Sequence, residues 1–316
     1  MRGLVGLLLL ALMVAACQSG GADPSDRMAT QESCRMERVA DLPARYVLGH
    51  VLIPAAVNDI PVQLLVDTGA SASMLTPAAV ALLGLHTDPS RTTTVHGIGG
   101  TVVTHDTSVQ SFRIGDQDWL GSGMATGRLP IPFQEDPPVV GVLGADRLAT
   151  FDVELDVPHR RMTLWRVQRC FGDFVPWQTA HYVLTLARYQ PNQMIAHIEI
   201  EGHPVTALID WGARSSMITS AAAAGLGVSE DILRQDRSGG SRGVDQNEVP
   251  IRVHRFGEIT IGPARFHDIA LEVGGLRVTN VGMLLGLDFF RTRHVWLSYA
   301  SEQLFVERER IANAPR

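Results

Sequence analysis

The chain carries the same segment twice. From Asp67 it reads DTGASASMLTPAAVALLGL, and from Asp210 it reads DWGARSSMITSAAAAGLGV. Asp, Gly, Ala, Ser, Met and Thr recur in register without a gap, and both copies run into an Ala/Leu-rich stretch ending in Gly-Leu or Gly-Val. A duplication of this kind demands two copies of one small architecture. The copies extend outward. An apolar run precedes each Asp, Pro61–Val66 and Pro204–Ile209, and another precedes that, Leu48–Ile53 and Met194–Ile200. In Ala196-His197-Ile198-Glu199-Ile200 the alternation has the period of two that marks a half-buried strand. Downstream, Val140–Asp146 and Val281–Asp288 each contain an apolar-apolar-Gly step, followed in each copy by two more strand candidates. Helical pattern is confined to Pro77–Leu83 and Ser220–Gly225. The fold class expected is all-β with few short helices: two pseudo-symmetric lobes at about 43–168 and 183–310, joined by a Pro- and Trp-containing linker, 169–182.

Composition narrows the chemistry. The 316 residues carry a formal net charge of -6, which disfavours general nucleic-acid binding, since little basic surface is left over to neutralise phosphates. Every basic side chain other than His is Arg; with no Lys, a lysine Schiff base or a phosphate-loop lysine is excluded. Three Cys are too few for a disulfide-built scaffold or a Cys-rich zinc array. Eleven His are scattered without a His-Glu-x-x-His pair, and there is no Gly-x-Ser-x-Gly elbow.

One Asp-Thr-Gly is only a turn former. Here a strand delivers each Asp into a turn, small residues follow, and each half supplies an apolar-apolar-Gly segment (Val142-Leu143-Gly144 and Leu284-Leu285-Gly286). The set resembles the pepsin/retropepsin-like aspartic proteases over most of residues 45–307. Ala70 and Ala213 after the glycines resemble the retropepsin branch, which implies β-barrel lobes with a cleft between them. The resemblance implies that Asp67 and Asp210 are the catalytic pair, with Gly69 and Gly212 allowing the tight turns. It implies an aspartic endopeptidase acting on polypeptide with no cofactor or metal. Two adjacent carboxyls cannot both ionise cheaply, so they share a proton. The ionised member takes a proton from water, and the protonated member donates to the substrate carbonyl.

The resemblance also implies a Gly-rich flap, matched by Val95–Val103 with Gly97, Ile98, Gly99 and Gly100 at its centre; a second candidate is Ser238–Val244. Thr68, Gly69, Gly212 and the four flap residues are the expected substrate-binding surface. Both halves sit in one chain, so a monomer can be complete. The second motif departs from the pattern: it reads Asp-Trp-Gly, and Trp211 cannot supply the compact hydroxyl that in this family ties each turn to the other. The expectation is either a one-sided tie or a displaced turn that misplaces Asp210. A displaced turn would make the chain a peptide-binding adaptor or sensor; a structural envelope protein without an open cleft is a further reading.

At the N-terminus, Arg2 and the apolar run Leu4–Val14 have the form of a signal peptide, 1–16, too short to span a bilayer comfortably. Val14-Ala15-Ala16-Cys17 looks like the lipobox of bacterial lipoproteins, which implies lipid on Cys17 and a periplasm-facing membrane anchor; Gln18 after the Cys favours the outer membrane. Residues 17–42 are polar and aperiodic and read as a flexible tether. Cys34 and Cys170 then remain, either to pair in an oxidising compartment or to stay as free thiols.

Overall fold

The protein is described by a computed structural model over residues 33–97, 100–129, 133–242, 248–276 and 278–308. The first copy runs β1 (Arg35–Pro43), β2 (Arg45–Val47), β3 (His50–Val57), β4 (Ile60–Val66), β5 (Met74–Leu75), α1 (Pro77–Leu82), β6 (His86–Gly97), β7 (Gly100–Ile114), β8 (Gln117–Thr126), β9 (Val139–Leu143), α2 (Ala145–Leu148), β10 (Asp152–Asp156) and β11 (Arg161–Gln168). The second runs β12 (His181–Tyr189), β13 (Gln193–Ile200), β14 (His203–Ile209), β15 (Met217–Thr219), α3 (Ser220–Gly225), α4 (Glu230–Leu233), β16 (Arg237–Arg242), β17 (Glu248–Ile261), β18 (Ala264–Gly274), β19 (Met283–Leu285), α5 (Leu287–Phe290), β20 (His294–Ser298) and β21 (Gln303–Glu307).

Each copy closes a ring of six strands. In the first the order is β3-β4-β9-β5-β8-β7, closed where Val57 meets Phe112. In the second it is β13-β14-β19-β15-β18-β17, closed where Ile200 meets Ile259. Closure leaves no edge within the ring. In β13, Met194, Ala196, Ile198 and Ile200 point inward and His197 and Glu199 outward, as the alternation predicts. The hairpin turns match too: Asn58-Asp59 and Glu201-Gly202 hold positive φ at both positions, the twist a two-residue hairpin needs. The threonine of each repeat caps a short helix. Ala79 N donates to Thr76 Oγ1 at 3.1 Å, and Ala222 N to Thr219 Oγ1 at 3.0 Å. Pro77 adds a fixed φ at the first turn of α1. The short helices α2, α4 and α5 fall outside the expected helical stretches.

The lobes share a sheet ordered β1-β11-β10-β20-β21-β12. Its centre is the antiparallel pair β10–β20, where Val153 faces Leu297, Glu154 faces Trp296 and Leu155 faces Val295. Val153, Leu155, Val295 and Leu297 are fully buried in a core continuous across both lobes, which makes the two copies one folding unit. On the other face, Trp165, Trp296 and Phe305 are covered by Phe174, Val175 and Trp177 of the segment between the lobes. Trp165 and Trp177 donate their indole N–H groups to Glu154 at 2.8 and 2.9 Å, and His294 contributes a third contact at 2.8 Å. These bonds hold the Glu154 carboxyl below its usual range against the opposing cost of burial.

Residues 35–42, expected as tether, are corrected to strand β1, paired with β11. Its own Ala40 and Leu42 are buried, and these apolar residues are too few to stand out in a polar segment. Cys34 and Cys170 form a disulfide, Cα–Cα 4.4 Å, at the end of this ladder. Cys17 lies outside the described residues.

Candidate active site

Each aspartate arrives at the end of the same strand. β4 runs parallel to β9 and β14 parallel to β19; Asp67 N donates to Leu143 O and Asp210 N to Leu285 O, both at 3.0 Å. The chain then turns back on its own carboxylate. Gly69 N and Ala70 N donate to Asp67 Oδ1 at 2.9 and 2.8 Å; Gly212 N and Ala213 N donate to Asp210 Oδ1 at 2.9 Å each. In both turns one carboxylate oxygen is held by two backbone donors, so the side chain has one orientation.

The two carboxyls hydrogen-bond to one another. A Cβ on Gly69 would overlap the Asp210 carboxyl, and one on Gly212 would overlap that of Asp67. These glycines are therefore required by the close approach of the opposite lobe. Burial and the neighbouring negative charge of Asp210 hold Asp67 well above the usual carboxylate range. Burial raises Asp210 as well, against the pull of its two backbone donors and of the Asp67 proton. The pair therefore retains one shared proton above the range where isolated carboxyls lose theirs.

A second layer repeats in both lobes. Gly144 N donates to Ser73 Oγ at 2.9 Å, and Ser73 Oγ donates to Asp146 Oδ1 at 2.6 Å. Gly286 N donates to Ser216 Oγ at 2.9 Å, and Ser216 Oγ donates to Asp288 Oδ1 at 2.6 Å. A Cβ on Gly144 would collide with Ala72 and Ser73 backbone, and one on Gly286 with Ser215 backbone. The apolar-apolar-Gly step is thus the seat on which each Asp turn rests. The sequence signal for this layer is the Asp two residues after that glycine in both copies.

Thr68 is buried between the lobes. It is 1% exposed, donates to Ile209 O at 2.7 Å and accepts from Trp211 N at 3.0 Å, both in the other lobe. This corrects its expected place on a substrate-binding surface: its hydroxyl is spent on tying the lobes. Trp211 is fully buried with its ring 6.0 Å from that of Phe290. It makes no reciprocal tie, yet the Asp210 turn is not displaced.

Of the flap residues, Gly97 ends β6, pairs with Gly100 at the start of β7, and closes a long hairpin on the first ring; Ile98 and Gly99 lie outside the described residues. β16 and β17 form the corresponding hairpin of the second lobe.

Two closed rings, each ending one strand in an aspartate, with the two carboxyls in contact across the lobes, define the two-lobed aspartic protease type of architecture. A model of the aspartyl protease family matches residues 53–146 and again residues 196–289, and the chain belongs to that family. DNA damage-inducible protein 1 of Eremothecium gossypii is 37% identical over 103 residues, a match covering 32% of this chain and 20% of that protein, so the chain spans about a fifth of its length. An aspartic proteinase from Irpex lacteus has a solved structure 13% identical, with a TM-score of 0.50, covering 89% of this chain and 99% of that one. A retropepsin-like aspartic protease from Rickettsia conorii is 18% identical, covers 42% of this chain and 96% of its own, and has a TM-score of 0.32.

Proposed function

We propose that the protein is an aspartic endopeptidase in which Asp67 and Asp210 jointly activate water against a peptide bond. The observation that carries the reading is the pair of carboxyls in contact, each with one oxygen fixed by its own turn. Burial and the repulsion between the two charges leave the pair a single shared proton to work with. The ionised member takes a proton from a water placed between them, and the protonated member donates to the carbonyl oxygen as the tetrahedral intermediate forms. An extended polypeptide would lie across the cleft beneath the β6–β7 hairpin, pairing by backbone hydrogen bonds. One chain supplies both aspartates, which favours a monomer.

Location follows from the N-terminal sequence. We propose that residues 1–16 are removed, that Cys17 carries lipid, and that the protease faces the periplasm from the outer membrane. The Cys34–Cys170 disulfide is in keeping with an oxidising compartment.

The test uses the chain from residue 18 onward against a mixed peptide library from pH 4 to 7, beside Asp67→Asn and Asp210→Asn. Cleavage by the wild type, lost in both variants, is expected. A folded wild type that binds peptides and cuts none would replace this reading with the adaptor one.

A further inference from the structure

Lobe 1 holds the second Asp turn through Thr68, but Trp211 gives lobe 2 no hydroxyl with which to hold the first. Another residue of lobe 2 reaches that turn. Gln193, the first residue of β13, donates its side-chain amide N–H to the carbonyl of Gly69. It is 6% exposed, so a buried amide is committed to this one crossing. Among the described residues, no other side chain of lobe 2 except Asp210 itself hydrogen-bonds to residues 67–70.

The position is not arbitrary. His50 is the first residue of β3, and it stands as far ahead of Asp67 in the chain as Gln193 stands ahead of Asp210. It is 5% exposed, and its ring meets the backbone of Gly212, the glycine after the opposite aspartate. Each lobe therefore opens its first ring strand with a polar side chain that crosses to the other lobe's Asp-turn glycine. Burial, reinforced by the nearby positive charge of Arg214, lowers His50 to about 4, so it is neutral above that pH.

We propose that Gln193 is the positioning residue for the Asp67 turn, supplying from lobe 2 the cross-lobe tie that Trp211 cannot make, with His50 as its counterpart on the Asp210 turn. Without Gln193, the Gly69 carbonyl loses its partner in the other lobe, and the first turn is tied to lobe 2 only through Thr68 and the carboxyl pair. The carboxyls then meet less often in the geometry that shares a proton. Small misplacement of reacting groups costs rate far more than it costs binding.

This inference rests on the endopeptidase reading for its kinetic test and needs a second measurement that does not. Gln193→Leu should fold, lower kcat about tenfold or more, and leave KM within about twofold. Gln193→His should regain most of the loss, because lobe 1 spans the same crossing with a histidine. Wild-type kcat in Gln193→Leu overturns the inference. Equal losses in both variants, with KM rising in step, mark a general packing role and also overturn it. Independently of cleavage, ¹³C-carboxyl NMR of Asp-labelled protein follows the shared-proton step of the pair. Gln193→Leu should shift that step by about half a pH unit or more, and Gln193→His should restore it. An unmoved step overturns the inference. A wild type that shows the step but cleaves nothing defeats the protease reading and leaves the role of Gln193 standing if the step moves.

Discussion

The two Asp turns have the same geometry and different neighbours. Asp67 is followed by Thr68 and Asp210 by Trp211, yet each carboxylate receives the same two backbone N–H bonds at 2.8 to 2.9 Å. The turn is set by elements both lobes share: a strand ending beside a parallel partner, a glycine where the opposite carboxyl approaches, and a Ser–Asp pair beneath. The residue after the Asp decides something else, namely what ties the lobes. Thr68 spends its hydroxyl across the interface, whereas Trp211 fills core space against Phe290. One half of the tie has been exchanged for packing.

If the two lobes contribute one aspartate each to a shared site, the comparison breaks most sharply at the carboxyls. Asp67→Asn and Asp210→Asn should each lower the cleavage rate about 10³-fold, measured as initial rates on one peptide. Unequal losses would mean that the lobes are not equivalent in the chemistry. Trp211→Thr restores a hydroxyl but empties a fully buried site, and should destabilise by about 3–5 kcal/mol in denaturant unfolding, because the cavity outweighs the new hydrogen bonds. Replacing Cys34 and Cys170 together by Ser opens a link spanning 136 residues and should cost about 2–4 kcal/mol in the same assay. Thr68→Val keeps the shape and removes both cross-lobe bonds; about 1–3 kcal/mol is expected, with Ile209 O and Trp211 N left without that partner.

The smallest effect has the opposite sign. Asp67 is raised above the ordinary carboxyl value of 3.8 by burial and by Asp210. Its contribution to stability is therefore fully present below 3.8 and is lost as pH rises through the folded-state value. Asp210→Asn removes the facing charge and should raise the melting temperature at pH 7 by the equivalent of about 1 kcal/mol, with the gain vanishing below about pH 4. Glu154 supplies the contrast. Its value is lowered by His294 and two indoles, so its contribution is present above 4.5 and is lost as pH falls through the folded value. A stability profile that falls at both ends separates the two groups.

Much of this was legible in the chain. The gapless repeat carried the double architecture, because each copy must bury its own apolar faces. The glycines and small residues around each Asp carried the turn, because backbone conformation and close approach are local demands. Alternation placed β13, and the helical pattern of Pro77–Leu83 and Ser220–Gly225 placed α1 and α3. Strand β1 was not legible, since its few apolar residues signify only once β11 lies beside them. Nor were the second-layer Asp146 and Asp288, or Gln193 and His50, because a lone polar residue at the start of a strand carries no local sign of what it meets.

By itself the sequence determined the number of lobes, several of the strands that build them and the two residues on which the proposed chemistry would rest. Only the tertiary structure decided that the Asp210 turn survives its tryptophan, and which side chains cross between lobes. Thr68 and Ile209 are 141 residues apart, and Gln193 and Gly69 are 124 apart. Such contacts depend on how two folded bodies are set against each other by the β10–β20 pair, and that register arises from packing both lobes at once.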